Sequence, residues 1–178
     1  MTMPDEYNDI AEKLYKYIVD FDKEIYENEA HREDSLIQQA TNMQTAFSFV
    51  TAAIFMVAPI VLEYRGNLSI EFFLIMFASI SATLVGSLFC ATKAQKRYQR
   101  TSFPMADLFQ KKVESEYQCF ISSTQRSKYL ANTYSQLHKS LASINEKRVR
   151  WINQSMTLFF CSLGLCVFWF IVAIIKLV

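Results

Sequence analysis

Ser79, Thr83 and Ser87 recur every four residues through an otherwise apolar stretch, which places three hydroxyls on one face of a helix. Ala78, Ala82 and Gly86 follow an adjacent line. Small residues at this spacing let membrane helices approach closely, which is a packing role and needs no pore. The same hydroxyls can instead line a water-filled path in an oligomer, with Glu71 forming a ring at its outer mouth that favours cations. Both readings stand on the sequence. A second set is basic: Arg97, Arg100, Lys111, Lys112, Arg126, Lys128, Arg148 and Arg150, with Tyr98, Tyr117, Tyr129 and Tyr134 among them. Cations interleaved with aromatic rings are able to hold phosphates and stack bases. Near the membrane such charge also follows from topology alone, and elsewhere from a solvated helix face.

Other chemistry finds no support. His31 and His138 lie at no ligand spacing from a cysteine or from each other, and Cys90, Cys119, Cys161 and Cys166 include no CxxC pair, so neither a metal site nor a disulfide is expected. Gly66, Gly86 and Gly164 are too scattered for a phosphate-cradling loop, and no Ser or Cys sits in a nucleophile motif. The expectation is a protein that is not an enzyme and carries no cofactor.

The elements that position these residues are helices. Only three Gly and three Pro interrupt a chain of 178 residues that is 52% hydrophobic, a composition that disfavours a β-protein. A helix crossing the hydrocarbon core needs about 20 largely apolar residues. Three segments qualify: residues 45–64, residues 68–91, and a third segment within 154–178. The linker Glu63-Tyr64-Arg65-Gly66-Asn67 is short enough to force an antiparallel hairpin on the first two. Glu71 and Lys176 fall in outermost turns, where charged side chains reach the interface. The first apolar stretch follows a long acidic segment, unlike a cleavable signal peptide.

Orientation follows from the Lys and Arg near the span ends. Lys93, Lys96, Arg97 and Arg100 follow the second span and Lys139, Lys147, Arg148 and Arg150 precede the third, whereas the hairpin loop carries only Arg65. Residues 93–150 are therefore expected in the cytoplasm with the N-terminus, and Val178 outside. Charge divides the same way: residues 1–44 carry four basic residues against eleven acids, net −7, and residues 93–150 carry twelve against four, net +8. The two segments attract each other, or the basic one binds an anionic ligand.

Ile10, Leu14, Tyr17, Ile18, Phe21 and Ile25 mark one apolar face of an acidic helix within 1–44, which seeks a partner. Leu130, Tyr134, Leu137, Leu141, Ile144 and Trp151 fall at heptad spacing, with Arg148 interrupting the seam. Thr101-Ser102-Phe103-Pro104 predicts a kink or restart, and residues 122–124 the tip of a basic helical hairpin over 93–153. Its arms would each reach roughly 45 Å. The expected fold class is an all-α membrane protein, three transmembrane helices extended into a long cytoplasmic helical stalk.

This order of elements, with the basic exit ATKAQKRYQR, resembles the small bacterial antiphage membrane effectors of the SLATT type. The third span, entered through LHKSLASINEKRVRWINQSMTLFFCSLG, departs from their usual two spans and is similar to the HalB effectors of Hailong defence systems, which pair with a nucleotidyltransferase. The resemblance implies a homo-oligomeric channel in the bacterial inner membrane, gated by single-stranded DNA or a nucleotide, whose opening depolarises an infected cell. Three helices from one chain are too few to surround an aqueous path, so such a channel needs several copies. The alternative is a membrane-anchored scaffold or accessory subunit that recruits a cytoplasmic partner.

Overall fold

The computed structural model describes residues 5–63, 69–96 and 123–177, and all of them except Ser69 and Lys96 are helical. There are three helices among these residues: α1 (Asp5–Glu63), α2 (Ile70–Gln95) and α3 (Ser123–Leu177). Each contains a stretch long and apolar enough to cross a membrane. α1 runs unbroken through Asn28–His31, the stretch in which helix signals are weakest, and contains Pro59. α3 begins at Ser123, inside the cluster read as a hairpin tip; the preceding arm beyond Lys96 and the Thr101–Pro104 kink lie outside the described residues.

α2 shows why its ends fall where they do. Ser69, in extended conformation, caps the first turn by accepting a hydrogen bond from the Phe72 backbone N–H at 3.4 Å. Glu71 in the first turn and Lys93 in the last both complement the helix dipole. At the far end the Lys96 N–H donates to the Lys93 carbonyl.

Contacts divide the chain into two compact units. One comprises Ser35–Lys96 and Lys147–Val178. Its centre is Ala40, Ala94 and Ile152, packed about by Leu36, Met43 and Trp151. Farther along, Phe47 stacks on Phe159 with centroids 3.9 Å apart, and Phe72 meets Trp169 edge to face. α2 buries Phe72, Phe73, Ile80, Leu84, Ser87, Cys90, Ala91 and Ala94, so its small inward residues are the last two alanines, a serine and a cysteine. Ala78 and Ala82 are exposed instead.

The other unit comprises Met1–Asp34 and Arg97–Glu146. Here Tyr26 of α1 meets Tyr134 of α3 at 6.4 Å between centroids, and Leu141 and Asn145 are buried. Of the apolar face read from the sequence, Ile10, Leu14, Tyr17, Ile18 and Phe21 are exposed and Ile25 is half-buried.

The buried seam of α3 differs in detail from the expected one. From Leu141 on, Asn145, Arg148, Ile152, Ser155 and Ser162 follow as its buried positions, spaced three, four or seven apart, with Ala131 buried nearer the start of the helix. Ile144 and Trp151 are half-buried beside it. Arg148 therefore belongs to the seam and does not interrupt it. The seam admits polar residues because their hydrogen bonds are made within the protein.

Candidate functional site

The polar groups enclosed between apolar helices form the candidate site, since each must be satisfied by the protein itself where lipid replaces water. Ser87 of α2 and Ser155 of α3 are both fully buried. The Ser87 hydroxyl donates to the Ser155 carbonyl at 2.8 Å, and the Ser155 hydroxyl donates to the Ser87 carbonyl at 2.7 Å. Their oxygens lie 3.3 Å apart. Reciprocal bonds of this kind require two backbones in close approach, which a larger side chain at either position would prevent. At the adjacent Gly86, an added methyl group would meet Leu158 Cδ1 at 3.5 Å, an ordinary contact. The serine pair is thus the more size-restricted point.

Ser79 lies two turns from Ser87 and is also engaged with α3. Its hydroxyl donates to the Met76 carbonyl at 2.8 Å and accepts from the Trp169 indole N–H at 3.0 Å. Thr83, between them, bonds back to its own helix, at 2.8 Å to the Ile80 carbonyl and 3.2 Å to that of Ser79. Glu71 is exposed in the first turn of α2. Of the four residues considered for a pore lining, two are hydrogen-bonded to α3 within one chain, one is bonded to its own helix, and one stands at a helix end.

Toward the other end of α2, the Arg148 side chain is fully buried and its guanidinium donates to the Lys96 carbonyl at 3.4 Å. A cation at a helix C-terminus offsets the partial negative charge of the terminal carbonyls. Burial removes Arg148 from any open basic face, whereas Arg126, Lys128 and Arg150 are exposed. Arg97, Arg100, Lys111 and Lys112 lie outside the described residues. Gln95 and Gln44 form a further hydrogen bond between α2 and α1.

In the other unit, the Asn145 amide donates to the Glu29 carbonyl at 2.9 Å and to its carboxylate at 2.8 Å. Arg32 bonds the same carboxylate at 3.1 Å. Burial pushes the Glu29 carboxyl up, but the bonds from Asn145 and Arg32 and the charges of Arg32 and His138 outweigh it and hold the group below its ordinary value. His138 has a buried Nδ1 without a hydrogen-bond partner among the described residues.

Sequence reasoning singled out neither Asn145, Ser155, Glu29 nor Trp169. The available signal was spacing: Asn145 and Ser155 continue the three-and-four rhythm of Leu141 and Ile152, and only their polarity conceals it. Comparison with known proteins gives no match: no family model, no curated protein sequence and no solved structure is significantly similar to the chain.

Proposed function

We propose that the chain is the subunit of a homo-oligomeric ion channel or pore-forming effector, of the antiphage-defence kind. On this reading it is gated by an anionic cytoplasmic ligand, single-stranded DNA or a nucleotide made by a partner nucleotidyltransferase. The observation that carries the proposal is continuity: α1 and α3 each join a charged segment and an apolar, membrane-length stretch in one unbroken helix. Force applied by a ligand to the charged portions acts on the same helices that occupy the bilayer. The basic residues 93–150 supply the sensor and the acidic residues 1–44 its intramolecular competitor, both cytoplasmic by the positive-inside rule. Thr83, whose hydroxyl bonds only to its own helix, is the stripe residue best suited to face the ion path.

A scaffold reading also has a specific observation in its favour, because Ser79 and Ser87 engage α3 within the chain and so serve packing. Reconstitution of the purified protein in liposomes separates the two. Ion flux that changes with short single-stranded DNA or cyclic nucleotides, and that Thr83→Leu abolishes at unchanged protein level, supports the channel. Absence of flux from a correctly assembled oligomer supports the scaffold.

A further inference from the structure

A crevice of about 720 Å³ opens between α1 and α2, bounded by residues from Val50 to Leu62 on one side and from Phe73 to Ile80 on the other. Every lining residue is apolar, including Ile54, Phe55, Ala58, Leu62, Phe73 and Phe77. Phe55 and Phe77 meet edge to face at 5.1 Å, while Leu62 and Leu74 on its walls are exposed. The volume falls within the usual range for sites that take one small ligand, roughly 300–1,000 Å³.

We infer that this crevice holds one acyl chain of a membrane phospholipid. Three observations favour that occupant. Val50 to Leu62 is about 18 Å of helix, close to the roughly 15 Å that one leaflet of a bilayer's hydrocarbon core spans. The crevice runs up to the end at which α1 stops at Glu63 and α2 starts behind Ser69, so its long axis leads from apolar stretch to helix termini, as a lipid tail leads to its headgroup. The walls are bulky: membrane helices dock through small residues on a four-residue ridge, and the alanines here, Ala53 and Ala58, are five apart. A second copy's helix is thereby the poorer fit.

The assignment concerns lipid retention and holds for either reading of the ion path. The test uses the full chain in liposomes containing a phosphatidylcholine with a photoreactive diazirine in one acyl chain, followed by peptide mapping. Labelling should concentrate on residues 50–62 and 73–80, above Val167, Phe170 and Ile175 of α3, although these three are more exposed than most of the crevice walls. Ala58→Phe should deplete that labelling about tenfold or more, since its six-carbon ring excludes at least two methylenes and two alone are worth about that factor. Labelling spread in proportion to exposure would overturn the inference, as would labelling excluded from the crevice because a second copy covers it. The unsubstituted chain alone decides between these outcomes, so the test does not depend on how well the phenylalanine variant folds.

Discussion

Replacing Ser87 with leucine puts three carbon atoms in place of the hydroxyl oxygen where two helix backbones are held together by reciprocal hydrogen bonds of 2.8 and 2.7 Å. Overfilling a packed site costs about 1–3 kcal/mol. Loss of the hydroxyl adds about 0.6–1.7 kcal/mol, the range for interhelical hydrogen bonds in membranes. The total, about 2–5 kcal/mol, corresponds to a fall of roughly 4–20 °C in thermal midpoint for a chain of this size. Ser87→Ala removes the bond without the bulk and should cost only about 0.6–1.7 kcal/mol. Thermal unfolding in detergent micelles, followed by tryptophan fluorescence, measures both, because Trp169 is placed against Phe72 in the same unit. Ser87→Ala and Ser155→Ala should depart from additivity by about 0.5 kcal/mol or more, since the two hydroxyls lie 3.3 Å apart in one hydrogen-bonded pair. A leucine variant with unchanged midpoint but abolished ion flux would refute this reasoning and return Ser87 to the wall of an ion path.

Other expectations follow from the remaining polar contacts. Trp169→Phe should lower the midpoint modestly by removing the bond to Ser79, and Ser79→Ala should add little in the Trp169→Phe background; additivity there would show the bond is absent. Glu29 has its carboxyl held below the ordinary 4.5, so its contribution to stability is complete above that pH and is lost as pH falls through the lower folded value. Asn145→Leu should raise the Glu29 carboxyl and flatten that acid limb in a plot of midpoint against pH; an unaltered limb would remove Glu29 as its source. Arg148→Gln should destabilise by about 1.5–3 kcal/mol, the usual worth of a hydrogen bond to a charged group, with fraying at the Lys96 end visible by hydrogen exchange.

The helices and their apolar stretches were legible in the sequence because spanning a membrane imposes a long unbroken run on composition. The α3 seam was legible in rhythm but misplaced by about one residue, with Ile144 and Trp151 preferred over Asn145 and Ile152. Hydrophobicity counts a buried asparagine as a surface residue, and only the position of Glu29 on another helix explains it. Arg148 read as a break, or as a cation open to a ligand, for the same reason: the carbonyl it caps lies 52 residues away. The hydroxyl stripe on α2 was visible, but the direction it faces depends on where Ser155 and Trp169 fall, which no local pattern specifies.

Ser87 and Ser155 are separated by 68 residues of sequence. At the usual rate of synthesis, that interval takes about 3–14 s. Throughout it the nascent chain has produced α2 without the serine that will accept and return its hydrogen bond. Until α3 is made, Ser87 can be satisfied only by its own helix backbone, and Ser79 lacks its indole donor. The order of synthesis thus leaves the polar positions of α2 unmatched by another helix until α3 is made, and a chain truncated before Ser155 would lack the partners of both Ser87 and Ser79.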